Sequence, residues 1–141
     1  EWGKVCEKVY DALHGRYCKM ILDIDPEYYY EGYVSCSSSK EALETSEMEI
    51  EMDAFPYKRR NTKYHAEYQV SGSRTVTIMC DRMPTAPIFT ASNTMTVEYD
   101  EYMQSISNDE TEAEFEITEG ENELTFKGNG KVTIEWDGGM F

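Results

Sequence analysis

Two hydrophobic periods divide this chain. Over its first twenty positions Trp2, Val5, Cys6, Val9, Leu13, Tyr17 and Met20 recur at steps of three and four, with charged residues between them. That spacing predicts an amphipathic helix over about residues 2–18, its apolar stripe packed on a sheet. Gly15 is the point where such a helix ends or weakens. From Lys19 onward the period becomes two. Strands are predicted at 19–24, 31–37, 47–55, 64–71, 74–80, 90–100, 112–118, 122–127 and 131–136. The alternation is clearest at 47–55, 94–99, 112–117 and 131–136. Phe115, flanked by Glu114 and Glu116, marks a strand with one charged and one greasy face, as in a half-buried antiparallel sheet. Gly128-Asn129-Gly130 reads as a hairpin turn, and the serine-rich stretch 35–40 as a loop. Residues 100–112 are weakly patterned. The expectation is a mostly β, single domain over 1–141: a helix at about 2–18 and an antiparallel β-sandwich of jelly-roll type at about 19–137.

Composition narrows the partners. Acidic residues outnumber basic ones by 28 to 13, a net charge of −15. Phosphates and anionic membranes would be repelled, so nucleic acid is disfavoured and a cationic protein partner permitted. No apolar run approaches a membrane span, so no membrane insertion is expected. Charge is also uneven. Residues 98–123 carry eleven acidic side chains and no Lys or Arg, whereas Lys58, Arg59, Arg60 and Lys63 cluster within six positions.

Four cysteines, Cys6, Cys18, Cys36 and Cys80, are irregularly spaced, with no CxxC pair, and the two histidines, His14 and His65, are far apart. A zinc site has little support. Two disulfides in a secreted chain fit better, with the pairing left open among three connectivities.

The order of elements resembles a CUB domain, a secreted β-sandwich, over roughly residues 18–118. Cys36 is followed by the alternating Met48, Ile50, Met52 and Phe55; Cys80 and Pro84 precede a strand with Ser92, Asn93, Met95, Val97 and Tyr99; Asp25-Pro26-Glu27-Tyr28-Tyr29-Tyr30 stands where the family has its Ser-Pro-Asn-Tyr-Pro loop. Phe115 falls where the last family strand carries its phenylalanine. The chain departs from the family in its initial helix, in its strands beyond 122, and in lacking the cysteine expected after Phe55, which would leave Cys80 to join Cys6 or Cys18. Many CUB domains bind calcium, but Lys58 occupies the position of the expected Glu, and Glu101-Tyr102 that of the expected Asp, with Asp100 out of register. No metal or cofactor is expected.

Binding chemistry is carried by two clusters. Tyr28, Tyr29, Tyr30 and Tyr33 offer rigid amphipathic area of the kind enriched in interface hot spots. Neighbouring tyrosines on a strand cannot all point inward, so at least one should be exposed. Lys58, Arg59, Arg60 and Lys63 follow Phe55-Pro56 as an exposed loop able to pair with an acidic ligand. No GxSxG elbow exists, and nothing in the sequence sets either histidine beside a nucleophile or carboxylate, so an enzyme is not expected. The reading is a secreted, non-catalytic module that recognises an extracellular protein through this tyrosine-rich and charged surface. The alternatives are a lipocalin-like carrier of a small hydrophobic or cationic ligand, and a structural matrix or coat protein.

Overall fold

The change of period falls a few residues before Lys19. Helix α1 spans Trp2–Leu13 and ends where Gly15 takes a φ of 73°, a left-handed conformation natural to glycine and strained for other residues. Tyr17 and Met20, spaced as though on the helix stripe, therefore lie on β1, Tyr17–Leu22. The computed structural model describes residues 2–40 and 46–141, apart from the side chains of residues 2, 38–40, 46 and 47. The Trp2 side chain of the expected stripe is thus outside the described residues. The fold is mostly β, with one short helix and antiparallel sheets of sandwich-like build. The chain forms two compact units, Glu1–Lys58 and Arg59–Phe141.

In the first unit the central strand is β2, Asp25–Lys40. It continues through the serine-rich stretch expected as a loop, because β3, Ser46–Ala54, pairs with it from Gly32↔Ala54 to Lys40↔Ser46. On its other edge β1 pairs from Tyr17↔Tyr33 to Leu22↔Asp25. Gly32 is required where the three strands meet: a Cβ there would lie 2.0 Å from the Asp53 carbonyl oxygen. Strand alternation then sorts the side chains. Gly32, Val34 and Cys36 are buried, whereas Tyr33, Ser35 and Ser37 face solvent. The helix and β2 are tied by the Cys36 N–H, which donates to His14 Nδ1 at 3.0 Å.

The second unit is built around β10, Gly120–Trp136, which pairs along its whole length with β5, Tyr64–Cys80. Its other edge is shared. The first half pairs with β7, Met95–Tyr99, and the second with β6, Ile88–Ala91. Further out, β8, Tyr102–Ile106, pairs with β7, and β9, Thr111–Glu112, with β6. The short β4, Lys58–Arg60, crosses the unit boundary, and its Arg60 N–H donates to Gly138 beside β11, Gly139–Met140.

Gly128-Asn129-Gly130 is therefore not a hairpin turn. It lies inside β10, opposite Gly72, Ser71 and Val70 of β5. Leu124, Phe126, Val132, Ile134 and Trp136 all occupy even positions and all point inward, so both halves of one strand present the same face to the core. The sheet has to fold over between them. At that corner the inward positions are Gly128 and Gly130, with φ of 147° and 138°. Side chains there would collide with Met95 and with Ser92 and Asn93. The fold-over lets Phe89 of β6 meet Phe126 edge-on at 5.8 Å between ring centres. Residues 90–100 likewise break at 92–94 into two strands rather than one, and 64–71 with 74–80 form one strand rather than two.

Candidate protein-binding surface

Large apolar side chains are covered very unequally. Among the described residues the first unit buries only Val34 and Cys36 of the hydrophobic core; the remaining buried hydrophobics belong to the second unit. The first unit instead exposes Tyr17, Ile21, Tyr33, Ile50 and Phe55, and Ile24, at the tip of the β1–β2 hairpin, is 91% exposed. Among the described residues, the face of β1, β2 and β3 that carries Tyr17 and Tyr33 presents exposed side chains rather than buried ones.

The solvated face of that sheet is organised. Tyr17 and Tyr33 are directly paired across β1 and β2, 57% and 62% exposed, with rings edge-on at 5.3 Å. On β3, the residue opposite Tyr33 is Asp53, followed on the same face by Glu51 opposite Ser35 and Glu49 opposite Ser37. Opposed residues share a face, so an exposed aromatic pair is bordered by a row of three carboxylates. Lys19 lies over the Tyr29 ring at 4.4 Å. An aromatic surface edged with carboxylates attracts ammonium and guanidinium groups through the ring faces and through ion pairing.

The sequence-selected tyrosines separate accordingly. Tyr33 is on the open face, whereas Tyr28, Tyr29 and Tyr30 are half-buried. Tyr28 lies under the Lys58 ammonium at 4.6 Å. Lys58 also pairs with Asp25, and that hydrogen bond holds the ammonium above its usual pKa. The basic run 58–63 does not form a single loop. Lys58 belongs to the first unit; Arg60, in the second, stacks over Tyr64 at 4.1 Å; Arg59 is half-buried and Lys63 exposed.

All four cysteines are free thiols, which corrects the expected disulfide framework. Cys6, Cys18 and Cys36 lie in the first unit and Cys80 in the second. Cys80 is committed to its own surroundings: its Sγ donates toward the carbonyls of Met83 and Ile117, and burial, reinforced by Asp81 and Glu119, pushes its thiol up to about 11. Cys6 and Cys36 line one shallow cleft of about 210 Å³ without being bonded. Cys18 sits on β1 opposite Gly32.

The strand register also assembles groups that spacing could not reveal. Tyr17 joins the aromatic face only through its pairing with Tyr33. On the outer face of the second unit, His65 lies 3.4 Å from Glu67 and 3.5 Å from Glu135, and Lys131 pairs with Glu67 at 3.0 Å. Hydrogen bonds from Lys131 and then His65 hold Glu67 below the usual carboxylate range. These side chains are about half exposed to solvent. In the acidic segment, Glu112, Glu114 and Glu116 line an open trough with Tyr102. Among the described residues no group of three or more His, Cys, Asp or Glu is placed to hold a metal ion. Among them, too, no helix is long and apolar enough to cross a membrane. No protein-family model, curated protein or solved structure matches the chain.

Proposed function

We propose that this chain is a non-catalytic, extracellular protein-binding module whose recognition surface is the open sheet of its first unit. The observation that carries the proposal is the Tyr17–Tyr33 pair, exposed on a face bordered by Asp53, Glu51 and Glu49. Desolvating two tyrosines supplies the affinity, and the carboxylates select a cationic partner and speed its encounter. The extracellular setting is supported by the CUB-like order of residues over 18–118 and not by disulfides. Among the tyrosines chosen by sequence, Tyr33 is the anchor; half-buried Tyr29 shares its face of β2, whereas half-buried Tyr28 and Tyr30 fall on the other.

The test is affinity capture from extracellular fluid, followed by binding measurements on purified partner. Replacing Tyr17 and Tyr33 with Ala is expected to weaken binding by about tenfold or more, while Lys63→Ala leaves it unchanged. Undiminished binding by the double tyrosine variant would place the surface elsewhere. An apolar groove of about 500 Å³ in the same unit, lined by Leu13, Val34, Ile50 and Met52 among others, favours a second reading as a carrier. A small molecule retained at one equivalent in native mass spectrometry would establish that reading instead.

A further inference from the structure

Among the described residues β3 is paired along one side only. The Phe55 N–H donates to the Glu31 carbonyl, which fixes the hydrogen-bonding phase of the β2–β3 ladder. In an antiparallel pair that phase alternates, so Asp53, Glu51 and Glu49 turn their backbone groups toward β2. Met48, Ile50, Met52 and Ala54 turn theirs outward, and among the described residues no strand pairs with that edge. The two faces beside the edge differ. One carries the carboxylates of Glu49, Glu51 and Asp53. The other carries Ile50, 53% exposed, with Met52 and Ala54 on the wall of the apolar groove.

Edges of this kind recruit a further strand unless something prevents it. A second copy of β3 is a poor candidate, because self-pairing would bring Glu49, Glu51 and Asp53 against their own equivalents, and like charges facing across a ladder are destabilising. We propose that this edge is completed by an extended segment of another protein whose residues alternate between cationic and apolar. The segment's backbone pairs with Met48, Ile50 and Met52. Its Lys or Arg side chains meet the carboxylate row, and its apolar side chains enter the groove. This mode rests on the first unit being a protein-binding surface; the edge and the tyrosine face are tested by separate variants.

The probe is a synthetic peptide alternating Lys and Val, matched to the 9 residues of β3, titrated into isotopically labelled full chain and followed by amide NMR. A peptide of the same composition with all Lys before all Val is the comparison. The alternating peptide is expected to shift and protect from exchange the amides of Ile50 and Met52, and to bind about tenfold tighter than the block peptide. Ile50→Pro removes one outward donor and leaves the β2 ladder intact, so affinity should fall about tenfold. As a second variant, Glu49→Lys, Glu51→Lys and Asp53→Lys together should abolish binding of the Lys–Val peptide and confer binding of a Glu–Val one. Equal binding of the block peptide, no effect of either variant, or no binding of the alternating peptide at millimolar concentration would each overturn the edge mode. Shifts confined to Tyr17 and Tyr33 would overturn it too, while leaving the aromatic surface standing.

Discussion

Gly130→Ala tests the physical account of how the second unit closes. Residue 130 has a φ of 138°, where an L side chain costs about 1–3 kcal/mol. Its Cβ would lie 2.4 Å from Ser92 Oγ and 2.9 Å from Asn93 Nδ2. Those two atoms hold the corner: Ser92 Oγ accepts the Lys131 N–H at 2.9 Å, and Asn93 Nδ2 donates to the Asn129 carbonyl at 2.9 Å. Displacing them loses hydrogen bonds worth about 0.5–1.5 kcal/mol each. The combined cost is about 2–6 kcal/mol, a large part of a total stability of about 5–15 kcal/mol. Gly72→Ala is the internal control. Its φ of 80° is also unfavourable, but nothing lies within 4 Å of the new methyl, so only the conformational part, about 1–2 kcal/mol, should appear. Urea unfolding followed by fluorescence of Trp136, in a Trp2→Phe background, reports on this unit. The indole is buried and donates to the Met79 carbonyl, so its emission follows loss of the β5–β10 sheet. If Gly130→Ala proves no more destabilising than Gly72→Ala, the fold-over does not depend on bare backbone at residue 130.

Cys80 makes the second unit sensitive to alkali. Its thiol rises from 9.0 to about 11 on folding, so the native state holds the proton more tightly, and the stability present below pH 9 should be lost between pH 9 and about 11. The loss amounts to about 2–3 kcal/mol, and a stability–pH curve that Cys80→Ala fails to flatten would refute it. A maleimide should label Cys80 in the folded chain far more slowly than the half-buried Cys6 and Cys18, with four equivalents taken up on unfolding without reductant. Phe126→Ala empties a fully buried position in contact with Phe89 and should destabilise the second unit by about 3–5 kcal/mol in the same urea assay.

Alternation revealed several strands but not all: residues 112–118 bury Ala113, Phe115 and Ile117 in strict alternation, yet beyond Glu112 they form only an isolated bridge, Ile117 to Thr85, and not the expected strand. Segment 131–136 lies within an observed strand, and 47–55 does so up to Ala54, because Val132-x-Ile134-x-Trp136 and Met48-x-Ile50-x-Met52 each keep one side apolar. It failed where glycine has two meanings. Gly128-Asn129-Gly130 has the composition of a hairpin turn, but what decides its role is the packing of Met95 and Ser92 against the missing side chains, a long-range fact. Residues 102–106 carry no period-two signal because Tyr102 and Met103 are both exposed, although they form β8. At the candidate surface, Tyr33 was visible as a tyrosine too many for one buried face. Tyr17 was not, because a helical spacing ran through Gly15 and absorbed it. The carboxylate row beside them could not be seen either, since Asp53, Glu51 and Glu49 meet Tyr33 only through the β2–β3 register.

The strong negative charge takes on a particular meaning beside that register. An open sheet with exposed Ile50, Phe55, Tyr17 and Tyr33 would ordinarily be an aggregation hazard. Natural edges are commonly protected by lysine, by proline or by bulges, and β3 has none of these; its solvent-side positions 49, 51 and 53 are all acidic. Carboxylates at every second position repel a second copy of the same strand and most other acidic surfaces. They do not repel a cationic strand. The same three side chains that keep the edge from pairing with itself therefore fix the sign of what it accepts, and protection and specificity become one property. Ionic strength separates this account from simple hydrophobic stickiness. Added salt screens both effects together, so it should weaken capture of a cationic peptide while promoting self-association of the free chain.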